Sequence, residues 1–183
     1  MSKVLIAGIG NVLLGDDGVG PFVIETLKSE YDFPDNVELA DLGTPALDLL
    51  VHFAGAEAAI LVHSANFGGA PGDIRLFHKQ DILRNPARAR LDPHGFSLMS
   101  LFEFAGAIPS EFLMIGMQGG RFEPGPTLST PVRHCIVHII DAVQRELRRL
   151  NVSYAPKGSV KPPRTWLELL GLRATDRSLR QLR

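Results

Sequence analysis

Three polar positions in this chain have the side-chain chemistry of a metal or hydrolytic site. Asp16 and Asp17 follow a glycine-rich stretch, His63 follows an apolar run, and His94 lies in a Pro-His-Gly turn. Carboxylate and imidazole groups together suit borderline metals such as nickel and zinc, and imidazole is a competent base near neutral pH. Each residue alone is more often structural, so only their convergence on one crevice would indicate a site.

The paired aspartates lie between a predicted strand and a predicted helix. A short apolar run ends at Gly8, as expected for a parallel strand that is buried on both faces. Pro21 falls in the first turn of the helix that follows and Asp17 can cap it. The helix is predicted from apolar residues at helical spacing, namely Val19, Phe22, Val23 and Leu27. The aspartates should therefore lie at the carboxyl edge of an open α/β sheet, where ligands usually bind.

Two other readings of this loop stay open at the level of sequence. Gly8-x-Gly10 can begin a dinucleotide-binding fingerprint, but its third glycine is misplaced and two aspartates would repel a pyrophosphate. Alternatively, one aspartate is simply a helix N-cap. A cap accounts for one carboxylate and not for the pair.

The rest of the chain alternates predicted strands with predicted helices. Strands are expected over 37–40, 58–62 and 112–117, with an edge strand over 73–77, and helices over 47–53 and 98–105. A charged, irregular stretch is expected over 78–91, and a long amphipathic helix from Ser129 or Thr130 to Leu150. This order predicts an α/β fold, a three-layer α/β/α sandwich with a mostly parallel sheet, of the phosphorylase/hydrolase-like kind.

Composition bounds the class of protein. The chain has 183 residues, 45% of them hydrophobic, which suits one domain over 1–150. Without a signal pattern or a long apolar run, no membrane insertion is expected, and the single cysteine, Cys135, fits a reducing cytoplasm. The extension over 151–183 is basic and is expected to be partly helical or disordered, with a short helix around Trp166. The acidic remainder argues against nucleic acid as the ligand.

Other groups of residues give weaker evidence for a chemical site. His134 and His138 have the spacing of a zinc pair, but no glutamate follows His134, so both are predicted to be surface residues. Cys135 is expected to be a small core residue. Ser64 does not lie in a nucleophile elbow, and no phosphate-binding Walker loop is present in the sequence.

The chain resembles the hydrogenase maturation endopeptidases, which remove a C-terminal extension from the large-subunit precursor of nickel–iron hydrogenases after nickel insertion. The resemblance extends over 3–150 and rests on several short motifs in family order. They are Gly8-Ile9-Gly10-Asn11, Asp16-Asp17-Gly18-Val19-Gly20, Asp41-Leu42-Gly43-Thr44, Gly68-Gly69-Ala70-Pro71-Gly72, Pro93-His94, Ile115-Gly116-Met117-Gln118 and Leu128-Ser129.

The resemblance implies a metal-contacting and catalytic trio, which maps here to Asp17, His63 and His94. It also implies that the nickel is supplied by the precursor, which is the expected partner. Asp16, Asp41 and Asn11 are the candidate cleft and substrate-contacting residues, although Asp41 can equally serve as a helix cap.

His63 departs from the family pattern, in which an aspartate stands at this position. The charge of the three groups changes from about −2 to −1 with neutral imidazole. Two outcomes stay open. His63 can serve as ligand and base, so that the protein remains an endopeptidase. Alternatively, the geometry fails, and the protein is a non-catalytic member that binds or chaperones the same precursor.

Overall fold

The described part of the chain forms a mostly parallel central sheet with helices on both faces. A computed structural model describes residues 2–44, 48–84 and 109–158. The strands are β1 (Lys3–Gly8), β2 (Tyr31–Asp32), β3 (Val37–Asp41), β4 (Ala56–Ser64), β5 (Ile74–His78), β6 (Glu111–Met117) and β7 (Ala155–Pro156). The helices are α1 (Val19–Glu30), α2 (Asp48–Phe53), α3 (Lys79–Arg84) and α4 (Thr130–Arg149), with a 3-10 helix over Gly15–Gly18 before α1.

The sheet has the strand order β3-β1-β4-β6-β5 among the described strands. β1 pairs in parallel with both β3 and β4, and β4 pairs in parallel with β6. β5 lies at one edge of the sheet, as predicted from its mixture of apolar and charged residues. It pairs antiparallel with β6. The predicted α/β sandwich is therefore confirmed.

Apolar residues on both faces of the sheet form two cores. Alternate residues of β1 and β4, such as Ile6 and Ile60, pack with α1 and α4 on the first face. Their neighbours, such as Leu5 and Leu61, pack on the second face with Phe53 at the end of α2. Burial on both faces explains why these strands read as continuous apolar runs.

The start of the extension packs on the body of the domain. β7 pairs antiparallel with β2, and Tyr154 makes an edge-to-face contact with Tyr31 at 5.7 Å between ring centroids. Cys135 is buried, and His134 and His138 are exposed, as predicted. The predicted helix over 98–105 and the region around Trp166 lie outside the described residues. Among the residues described, no helix has the length and apolar character needed to cross a membrane.

Two local predictions are wrong. An irregular stretch is predicted over 78–91, but His78 ends β5 and a helix, α3, follows over Lys79–Arg84. Buried Ile82 anchors this helix, and Asp81 Oδ2 accepts the backbone N–H of His78 at 3.0 Å. Residues 85–91 lie outside the described part of the chain. Asp17 does not cap α1. The N-cap is Gly18, without a side-chain hydrogen bond, because the 3-10 turn directs the Asp17 carboxylate elsewhere.

Candidate active site

The candidate site lies at the carboxyl ends of β1 and β4, where the chain changes direction. From β1 the chain passes through α1 to β3 on one side, whereas β4 and β6 lie on the other side. Gly8, the last residue of β1, is in register with Asp41 of β3 and Val62 of β4. Such a switch point is the usual ligand crevice of an open α/β sheet.

Asp17 is held at this edge by two hydrogen bonds from different segments. Its Oδ1 accepts the hydroxyl of Ser64 at 2.7 Å, and its Oδ2 accepts the backbone N–H of Asn11 at 2.7 Å. The residue is partly buried. Each carboxylate oxygen has a second lone pair, so a fixed carboxylate in this position can still accept a metal ion or a proton.

Glycines allow α1 and the first loop to approach the sheet this closely. A Cβ on Gly20 would lie 2.4 Å from the carbonyl oxygen of Ile9 and 2.6 Å from that of Val62. Gly10 has a φ of +145°, and a Cβ there would lie 1.8 Å from the carbonyl oxygen of Asp17. These contacts place the N-terminal end of α1, and the turn that carries Asp17, directly over the strand ends.

His63 is buried and belongs to the second face of the sheet. It is 3% exposed, and strand alternation directs it and Ser64 to opposite faces. Its Nδ1 lies 3.4 Å from the carbonyl oxygen of Ile9. A carbonyl only accepts hydrogen bonds, so this contact suits a ring with its proton on Nδ1 and, when neutral, its lone pair on Nε2.

Asp16 has a different environment from Asp17. It is 0% exposed and accepts four hydrogen bonds from described residues: the backbone N–H groups of Gly120, Arg121 and Ser129, and the Ser129 hydroxyl. Burial opposes the charged form, but these hydrogen bonds outweigh it and hold the pKa of Asp16 below its usual value. Its carboxylate therefore fixes both ends of the 120–129 loop to the 3-10 turn, and a contact with substrate stays a prediction.

Asn11 and Asp41 shape the two neighbouring loops. The side-chain oxygen of Asn11 accepts the backbone N–H of Leu13 at 2.9 Å. Asp41 is exposed, and its Oδ1 accepts the N–H of Gly43 at 3.0 Å. Gly43 in turn accepts the N–H of Gly10 at 2.8 Å, so the two loops form one rim of the crevice.

Comparisons with known proteins give the family. The model of the hydrogenase maturation protease family matches residues 21–146. The chain belongs to this family. It is 37% identical over 135 residues to the hydrogenase expression/formation protein HoxM of Azotobacter vinelandii, covering 72% of this chain and 65% of that protein.

Solved structures of maturation proteases have the same fold as the described chain. The hydrogenase-maturating endopeptidase HybD of Escherichia coli superimposes with a TM-score of 0.77 and is 27% identical, with 85% of this chain and 98% of HybD covered. A hydrogenase 2 maturation peptidase from a Thaumarchaeota archaeon has a TM-score of 0.63 and 31% identity. The match covers 80% of this chain and 98% of that peptidase.

In this member of the family the structure brings Asp17, Asn11 and Ser64 together. It places His63 at the same strand end, next to Ser64 in the chain. His94 lies outside the described residues. Within those residues, no group of three or more potential metal-ligating side chains occurs, so the predicted trio stays a prediction.

Sequence reasoning missed Ser64 as part of this site. Ser64 lacks the motif of a nucleophile, and the predicted strand ends at residue 62, whereas β4 continues to Ser64. An extended strand alternates its side chains, so it directs Ser64 towards the face of α1. That alternation was the available signal.

Proposed function

We propose that this protein is an endopeptidase that removes the C-terminal extension from the large-subunit precursor of a nickel–iron hydrogenase. In this proposal the nickel is part of the substrate, because it arrives already bound to the precursor. Membership of the maturation protease family supports the reaction class. The single cysteine is compatible with a reducing cytoplasm as its location.

One observation carries the proposal to particular residues. The Asp17 carboxylate is fixed at the switch point of the sheet by Ser64 and Asn11 and remains partly exposed. We assign it the contact with the precursor's nickel. His94 is the second proposed contact, and Nε2 of His63 is the third.

Cleavage is a hydrolysis, and its atoms balance with one water molecule. The water oxygen adds to the scissile carbonyl carbon, the C–N bond breaks, and the departing nitrogen takes a proton. Docking on the nickel would place the scissile peptide near the strand ends, and a positioned base would take the proton from water. Imidazole has the appropriate basicity for this step near neutral pH. A neutral ring has one lone pair, so His63 is the proposed base only when its Nε2 is not bound to the nickel, and its two proposed roles are alternatives.

The test uses purified protein and a hydrogenase precursor prepared with and without nickel. Intact-mass spectrometry should find the shortened large subunit only after incubation with the nickel-loaded precursor. An uncleaved precursor in all mixtures would contradict the endopeptidase proposal.

The second candidate function is favoured by the histidine at position 63. A non-catalytic member would form a complex with the nickel-loaded precursor without shortening it, and size-exclusion chromatography would detect that complex. If the histidine at position 63, in place of the family's aspartate, is the reason for the absence of cleavage, His63→Asp should confer cleavage.

A further inference from the structure

An apolar groove lies between α1 and α4 on the first face of the domain. Its volume is about 400 Å³. The apolar side chains that line it are Phe22, Tyr31, Ile136, Val137 and Ile140. Val137 is 62% exposed in the middle of a helix that otherwise buries its apolar stripe, so this part of α4 has apolar surface to cover.

The described chain ends at the mouth of this groove. After β7 pairs with β2, the backbone N–H of Lys157 donates to the carbonyl oxygen of Glu30 at 2.7 Å. Glu30 and Tyr31 line the groove. The last described residues therefore lie next to the groove.

The first strongly apolar cluster beyond that point is Trp166-Leu167-Glu168-Leu169-Leu170. Seven residues separate it from Gly158, and an extended chain of that length spans up to about 25 Å. The whole of α1, with 12 residues, is only about 18 Å long. The cluster can therefore reach any part of the groove.

The groove is lined by one residue of each charge, Arg133 on its α4 side and Glu30 at the end of α1. Glu168 is the charged residue within the cluster, and Arg133 is the groove residue that can pair with it. Arg133 is exposed, so a carboxylate brought into the groove would find a cation of opposite sign.

We propose that residues 166–170 of the same chain dock in the α1/α4 groove, with Trp166 covering Val137. The occupant is part of the C-terminal extension, so the extension caps the domain. This proposal is independent of the proteolytic function, since the groove lies along α1 and α4 and the strand ends are not among its lining residues.

The chain contains one tryptophan, so its intrinsic fluorescence reports on Trp166 alone. The test compares the full-length protein with Val137→Asp, which places a charge in the groove. Val51→Asp is the matched control, since Val51 is 72% exposed on α2, on the other face of the sheet. Far-UV circular dichroism checks that both variants remain folded.

Docking predicts a blue-shifted emission and weak acrylamide quenching for wild type and Val51→Asp. Val137→Asp should shift the emission to the red and raise the quenching constant several-fold. Wild-type quenching equal to that of the urea-unfolded chain would overturn the proposal, and so would equal emission from the two variants. A blue shift that appears only with rising protein concentration, together with dimers in sedimentation, would place the segment in a second copy and also overturn it.

Discussion

The two adjacent aspartates of the first loop have separate roles because of the turn that carries them. Residues in a 3-10 helix are spaced about 120° apart, so Asp16 and Asp17 point in different directions. Asp16 is directed inward, to the 120–129 loop. Asp17 is directed to the strand ends, where Ser64 and Asn11 hold it.

Ser64 should act as a positioning residue for Asp17. Ser64→Ala removes the hydroxyl that donates to Oδ1, and partners of this kind typically contribute about 10- to 100-fold in metal affinity or activity. We expect a loss of that size in the cleavage rate of the nickel-loaded precursor. Ser64→Thr keeps a hydroxyl and should recover part of the rate, whereas equal rates for wild type and Ser64→Ala would contradict this role.

Asp16→Asn should destabilise the fold. The amide nitrogen cannot accept hydrogen bonds, so at least one of the donors that Asp16 now satisfies loses its partner. We expect a loss of about 3 kcal/mol in the free energy of unfolding, measured with urea. Asp35→Asn, at an exposed position, is the control and should change it by less than about 0.5 kcal/mol.

The contribution of Asp16 should also depend on pH. Burial raises the pKa of Asp16, but the hydrogen bonds lower it more, so its folded value lies below the reference value of 3.8. The stabilisation that Asp16 provides is therefore complete above pH 3.8. It is lost as the pH falls through the lower pKa that Asp16 has in the folded protein. The difference in unfolding free energy between wild type and Asp16→Asn should narrow only in that acidic range, and narrowing near neutral pH would contradict this assignment.

At the scale of elements, the backbone of α1 approaches the ends of β1 and β4 closely at Gly20. Gly20 of α1 lies against Ile9 and Val62, and no room remains for a side chain. The helix cannot move away without moving the turn before it, which carries Asp17.

Gly20→Ala should therefore lower stability and displace the site together. We expect a loss of about 1–3 kcal/mol in the free energy of unfolding, since a methyl group would overlap two carbonyl oxygens. Gly158→Ala is the matched control, because a Cβ there meets no atom within 4 Å. Equal unfolding midpoints in urea for the two variants would show that the close approach is not needed.

The elements that the sequence predicted best are those with strong apolar patterns. β4 and β6 are buried on both faces, and α4 has a long apolar stripe. α3 was missed because six residues are too few for helical periodicity to be seen. The prediction that Asp17 caps α1 was wrong because the sequence does not distinguish a 3-10 turn from the first turn of α1.

At the scale of the whole molecule, the topology explains why the site residues are far apart in the sequence. The ends of β1, β3 and β4 meet at one edge, which brings the loops after Gly8, Asp41 and Ser64 into one rim. The sequence predicted this edge and Asp17 within it. Ser64, the partner of Asp17, could be found only from the register and the end point of β4. Apolar patterning alone does not define that register.

The central claim is that the carboxylate of Asp17 acts on the nickel-loaded precursor. The most direct test measures the rate of precursor shortening by intact-mass spectrometry for wild type, Asp17→Asn and the exposed control Asp35→Asn. We expect Asp17→Asn to lose roughly a hundredfold or more and Asp35→Asn to retain the wild-type rate. Cleavage by Asp17→Asn at the wild-type rate would contradict the claim.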